Sequence, residues 1–324
     1  MKQILAFALK TIVVSIVMLI IMVVVSAMAL PTETTETPAA GGENVILLLF
    51  IVMLIDALVI SLVVTQTHWS GWPLILGLTV AFYGIQTVVG QIEAIVFLTP
   101  LGEKWGAGSV PVLTMPMGFI AGQFVIGAAV AIIGVPTAVL LFGKAKRGSG
   151  VESINLIRGM GFLEWFWKAA ATILIYILLY FGFGYFVAWK NPAVLAFYQG
   201  IDPGSFIAQM RNVISETPTL IPFQAFRALL WMAFTLPVIR MLRHKPWLGA
   251  LITGLLLSLP MNIPHIVPNP YMPADVRLIH FIETASSNFI FGLFMFWLLH
   301  RSHQSLADLF RISNSTQAMR KMES

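Results

Sequence analysis

His280, Glu283 and Ser287 stand three and four residues apart in the stretch RLIHFIETASSN, residues 277–288. A helix through this stretch carries all three on one face. An imidazole and a carboxylate in that register can pass a proton, hold a cation, or ligate a divalent metal through nitrogen and oxygen. The apolar run FIFGLFMFWLL follows directly. Ionisable groups on a membrane-crossing helix are costly, and they mark pathways, pairs or sites.

Three other apolar runs carry comparable faces. Gln86, Gly90 and Glu93 recur at spacings of four and three in residues 73–98. Gln224, Arg227 and Trp231 share a face of residues 220–242, and Ser258, Asn262 and His265 share one in residues 247–267. Pro260 and Pro264 interrupt the last of these, and prolines there can free backbone carbonyls to line a cavity. Asp56 lies deeper, mid-way along residues 44–66. Its carboxyl must be protonated, paired or turned to a polar interior, and it is the candidate proton-coupling acid.

Glu93, Glu283, His265 and His280 together offer a donor set for a divalent metal, with Zn, Fe and Mn all chemically compatible. The H-x-x-E spacing alone is a weak signal, and the HExxH of zinc proteases is absent. Arg227 opposes a cation unless it pairs with one carboxylate. With Arg227 as counter-charge, the same groups could relay protons or bind an anionic or zwitterionic solute. A serine nucleophile, Ser286 or Ser287 with His280, lacks the G-x-S-x-G context, and neither a Walker A sequence nor GxGxxG occurs. The chain has no cysteine, which excludes disulfides and thiolate chemistry.

The alternative to a shared site is that each polar side chain reaches separately for the interface. For Glu93 and Glu283 that explanation is incomplete, because their faces continue inward to Gln86 and Ser287. A polar stripe fits a cavity or a polar contact between helices better.

The elements that would position these groups follow from composition. With 58% hydrophobic and 10% charged residues and a mean hydropathy of +0.88, the 324-residue chain belongs in a lipid bilayer. Its net charge of +5 does not suggest nucleic acid, because the basic residues are dispersed between apolar runs. Eight runs are long enough to span: residues 4–30, 44–66, 73–98, 112–142, 161–189, 220–242, 247–267 and 276–300. The predicted fold class is an all-α integral membrane protein, a polytopic bundle of about eight transmembrane helices.

Residues 1–30 form a signal anchor or first transmembrane helix. Ala27 and Ala29 resemble a leader cleavage pattern, but the apolar run exceeds a leader's. Residues 44–300 form the polytopic domain, and residues 301–324 a basic cytoplasmic tail. Placing both termini in the cytoplasm assigns Lys2, Lys144, Lys146, Arg147, Arg158, Arg240, Arg243, Lys245, Arg301, Arg311, Arg320 and Lys321 to the inner side. Lys104, Lys190, Arg211 and Arg277 fall outside. This bias matches the positive-inside rule, with the plasma (inner) membrane as the expected location.

That orientation sets Glu93, Arg227, His265, His280 and Glu283 within one or two turns of the outer boundary. The expectation is an outward-facing pocket for a proton, ion or small solute, lined by the third, sixth, seventh and eighth spans. An intramembrane metal enzyme and a non-catalytic assembly partner are the rival classes. Tyr176, Tyr180, Tyr185 and Trp189 of the fifth run read as packing and interfacial residues. The connector 190–219 offers an amphipathic helix, opened by Pro203 and using Phe206, Met210, Val213 and Ile214, that either lies on the membrane surface as a lid or serves as packing.

Overall fold

The eight apolar runs form eight helices long and apolar enough to cross a membrane, as they must where no water is present to bond free backbone groups. The structure is a computed structural model that describes residues 1–30, 44–104, 114–146, 160–242, 245–303 and 308. Arg147, Arg158, Arg243, Arg311, Arg320 and Lys321, and with them most of the 301–324 tail, lie outside the described residues.

The first two spans are α1 (Lys2–Ala29) and α2 (Val45–Gln66). The third joins α3 (Gly71–Tyr83) to α4 (Val89–Leu98) through a π-helical segment at Gly84–Val88. A short α5 (Leu101–Lys104) precedes α6 (Met117–Leu141), the fourth span. The fifth is α7 (Phe162–Phe183), extended by a second π segment at Gly184–Ala188. The connector folds as α8 (Pro192–Phe197) and α9 (Phe206–Glu216). The last three spans are α10 (Leu220–Leu242), α11 (Pro246–Asn262) with a 3-10 turn at Ile263–Ile266, and α12 (Ala274–Leu299). No β-strand occurs among the described residues.

The break expected at Pro260 is absent. α11 continues through it to Asn262, and the winding tightens only at the 3-10 turn that holds Pro264. Packed neighbours hold such a helix together where an isolated one would bend. The connector also starts differently: Ser205, whose hydroxyl accepts from the Ala208 amide, caps α9, while Pro203 sits in the preceding turn. Phe206, Met210 and Val213 pack against Phe181 and Leu220, but Ile214 is exposed.

Small residues bring the spans together. At the α11–α12 seam a methyl group on Gly292 would lie 2.7 Å from Gly254 Cα and 2.8 Å from the Thr253 carbonyl oxygen, so backbone touches backbone. Two hydrogen bonds stitch the same seam: Ser258 Oγ donates to the Ala285 carbonyl at 2.7 Å, and Thr284 Oγ1 to Asn262 Oδ1 at 2.6 Å. Gly122 of α6 meets the Ala29 carbonyl of α1, and Gly84 receives the Phe234 ring of α10.

Cross-ties define one end of the bundle. Lys144 Nζ donates to the Thr67 carbonyl at 3.0 Å and Lys245 Nζ to Gln66 Oε1 at 2.8 Å. Lys168, fully buried, pairs with Glu164 at 2.8 Å and donates to the Arg301 carbonyl at 2.8 Å. This basic end is opposite the end where the Met115 amide meets the Leu98 carbonyl.

The chain beyond α12 turns back onto α7 here. The His303 amide donates to Glu164 Oε1 at 2.7 Å, and the imidazole stands edge-on to Trp167. Burial pushes the His303 imidazole down to about 4, with Lys168, Arg301 and His300 adding to the effect. Released from α7 it would titrate near its ordinary value of about 6.5. The released form therefore takes up the proton first, and docking is complete above pH 6.5 and weakens as pH falls toward 4. Amide exchange across residues 301–303 should accelerate over that interval, and His303→Gln should remove this acid sensitivity.

Candidate functional site

At the end opposite the cross-ties, the spans separate around a cavity of about 520 Å³. That lies within the roughly 300–1,000 Å³ of small-molecule sites. α4 contributes Glu93 and Phe97, α10 Arg227, and α12 His280, Glu283 and Ser287. The fifth span supplies Tyr176, Tyr180 and Gly184, and the connector lines the mouth with residues 198–203 and one face of α9.

Two acid–base pairs organise the interior. Arg227 donates from Nη2 to Glu93 Oε2 and from Nη1 to Gln224 Oε1, the latter at 3.0 Å. Tyr176 and Phe223 flank the guanidinium, their ring centroids 5.7 and 5.8 Å from its carbon. Arg227 is only 2% exposed, whereas the Glu93 side chain keeps 25% of its surface open. Burial of this kind requires pairing, since a desolvated lone guanidinium would cost several kcal/mol.

The second pair lies on α12, one turn apart. His280 Nδ1 lies 3.0 Å from Glu283 Oε2, and its Nε2 lies 3.4 Å from the Tyr198 hydroxyl of the connector. With the ring proton on Nδ1, Nε2 is left to accept from the phenol. Burial raises the Tyr198 phenol above its ordinary range, with Glu93 and Glu283 adding to the effect, so it serves as a hydrogen-bond donor rather than a phenolate. The result is a hydroxyl–imidazole–carboxylate chain leading from the roof into the cavity wall.

The turn at the mouth is fixed by its own contacts. The Gly204 amide donates to Asp202 Oδ1 at 2.8 Å and holds that carboxylate below its ordinary range, with Lys190 assisting at 3.5 Å. Tyr185 donates to the Gly204 carbonyl at 3.1 Å, and Lys190 lies over the Tyr185 ring. Gly204 has φ +75°, a left-handed conformation that glycine adopts without cost.

The structure thus brings Glu93, Arg227, His280, Glu283 and Ser287 around one space. It leaves four other candidates outside that space. Gln86 falls within the π segment and bonds Thr87. A π turn adds about one residue to the helix, roughly 100° of rotation, so a face drawn at α-helical spacing does not run unbroken from Gln86 to Glu93. Asn262 is fully buried in the α11–α12 seam, behind the wall that Thr284 forms. His265 turns its Nδ1 to the Asn262 carbonyl at 2.9 Å, while Arg277 donates to its own carbonyl. Asp56 is fully buried within α2, with neither carboxyl oxygen hydrogen-bonded among the described residues, and does not reach the cavity.

The metal quartet is divided in the same way. His280 and Glu283 adjoin, Glu93 is engaged by Arg227, and His265 bonds the α11 backbone. No three His, Asp or Glu side chains among the described residues gather as a metal site. The serines do not engage His280 either: Ser287 bonds the Thr284 carbonyl, and Ser286 the Ile282 carbonyl.

The fifth span is the part that spacing reasoning passed over. Tyr176, Tyr180 and Gly184 recur every four residues, which was the available signal for a face. Gly184 adjoins Glu283, whose Oε1 lies 3.5 Å from where a β-carbon would be, an ordinary contact distance. From the seventh span only Met261 reaches the cavity.

The geometry defines a multi-pass membrane protein with a polar, aromatic cavity set into one end of the bundle. Compared with protein-family models, curated proteins and solved structures, the chain matches none.

Proposed function

We propose that this multi-pass protein transports a small solute, taken up from the outer side of a plasma membrane through the cavity between α4, α7, α10 and α12. The observation that carries this reading is a half-enclosed space of about 520 Å³ holding two acid–base pairs within membrane spans. Polar residues that served only to lock helices together would be packed solid, as Ser258 and Asn262 are at the neighbouring seam. The volume exceeds what a proton or a bare ion requires, which favours a small solute. The excess of Lys and Arg at the cross-tied end supports an outward-facing cavity.

The test is uptake and efflux of a broad solute panel in reconstituted vesicles. Glu283→Gln keeps the shape of the wall and removes its charge, and it should cut movement of the accepted solute at least tenfold. Glu93→Gln should do likewise, with Arg227 left without its partner. Unchanged fluxes in both variants, or no solute moved by the parent protein, would sink the reading.

A further inference from the structure

The electrostatics of the cavity identify a class of occupant, an inference that rests on the transport reading above. Arg227, the lining guanidinium, is nearly closed off at 2% exposure and satisfied by Glu93 and Gln224. In the first pair the carboxylate is the more open partner, Glu93 at 25%; in the second His280 is 17% and Glu283 11% exposed, and Glu216 of α9 stands at the mouth. Glu283 meets an imidazole rather than a fixed cation. The wall therefore presents negative charge to the space, while its positive charge is buried behind Glu93.

Part of the wall is aromatic. Of the rings that line the space, Tyr180, Trp189 and Tyr198 keep open surface, whereas Tyr176, Tyr185 and Phe291 are buried. Ring faces are electron-rich and attract cations, most strongly those too large or too alkylated to hold a tight hydration shell. A small metal ion would want several oxygen or nitrogen ligands converging on one point, and no such cluster exists among the described residues. An anion would meet the exposed carboxylates first.

We propose that the cavity binds an organic cation, an alkylated or aromatic ammonium compound, with Glu283 as the principal counter-charge and the tyrosines as its cage. The ammonium group sits between the Glu283 carboxylate and the Tyr180 ring, and its apolar substituents face Trp189.

The test measures binding alone, on the full chain in lipid nanodiscs, with benzyltrimethylammonium and benzoate as probes of similar size and opposite charge. The cation should bind saturably, at least tenfold more tightly than the anion, and quench tryptophan fluorescence at Trp189. Glu283→Gln should weaken it at least tenfold and Tyr180→Leu about threefold or more. Equal or preferred binding of benzoate, no saturable cation binding, or indifference to Glu283→Gln would overturn the assignment. The parent-protein comparison decides even if a variant fails to fold. Cation binding without flux in vesicles would defeat transport and leave this assignment standing. Charge-dependent flux of an anion through the same residues would do the reverse.

Discussion

Glu93→Ala should lower the stability of the bundle by roughly 3 kcal/mol or more, because it leaves the Arg227 guanidinium buried with no carboxylate. The guanidinium is held between Tyr176 and Phe223 and has little open surface from which to recover hydration. The complementary experiment separates charge from packing. Adding Arg227→Met to Glu93→Ala should restore much of the loss, since an apolar chain of similar length needs no partner at that depth. Thermal unfolding in detergent of the two single variants and the pair gives the coupling directly. Additive losses would mean that the pair does not stabilise the fold as a unit.

Gly292→Ala should be strongly destabilising. The added carbon would stand 2.7 Å from Gly254 Cα and 2.9 Å from Gly254 N, so the neighbour that must move is backbone. α11 and α12 would have to separate, which strains the Ser258–Ala285 and Thr284–Asn262 hydrogen bonds as well. A loss of about 3 kcal/mol follows from overpacking together with weakened polar contacts across the seam. Gly254→Ala meets mainly the Phe289 ring edge at 3.0 Å, and a ring can shift, so its cost should be smaller. Gly182→Ala meets nothing within 4 Å and should be silent. The order of melting temperatures across these three variants tests the seam. Equal losses would contradict it.

The spans were legible in the sequence because membrane solvation leaves little choice: a long apolar run must close its own backbone bonds. Glu93, Arg227, His280 and Glu283 were legible for a related reason, since charged groups stand out against an apolar background. Gln86, Asn262 and His265 looked equivalent to them by spacing but are not. For Gln86 the obstacle is a π turn, which no residue spacing announces. For Asn262 it is that a polar face can point at a neighbouring helix as well as at a cavity, and the two are indistinguishable before packing is known. The tyrosines of the fifth span were hidden by their ambiguity, since an aromatic ring suits a core, an interface or a ligand cage equally well. The connector's amphipathic helix was legible as a lid or as packing, but its place beside the cavity depends on where α7 and α10 end relative to one another.

That connector has a kinetic consequence. Residues 198–203 and one face of α9 line the cavity at its mouth, and Tyr185 and Lys190 anchor them there through the Gly204 carbonyl. On the proposed reading Tyr198 belongs to the roof and to the cage at once, so freeing that side chain would change affinity together with exchange, whereas loosening only the Asp202–Gly204 turn would act on the rate of exchange.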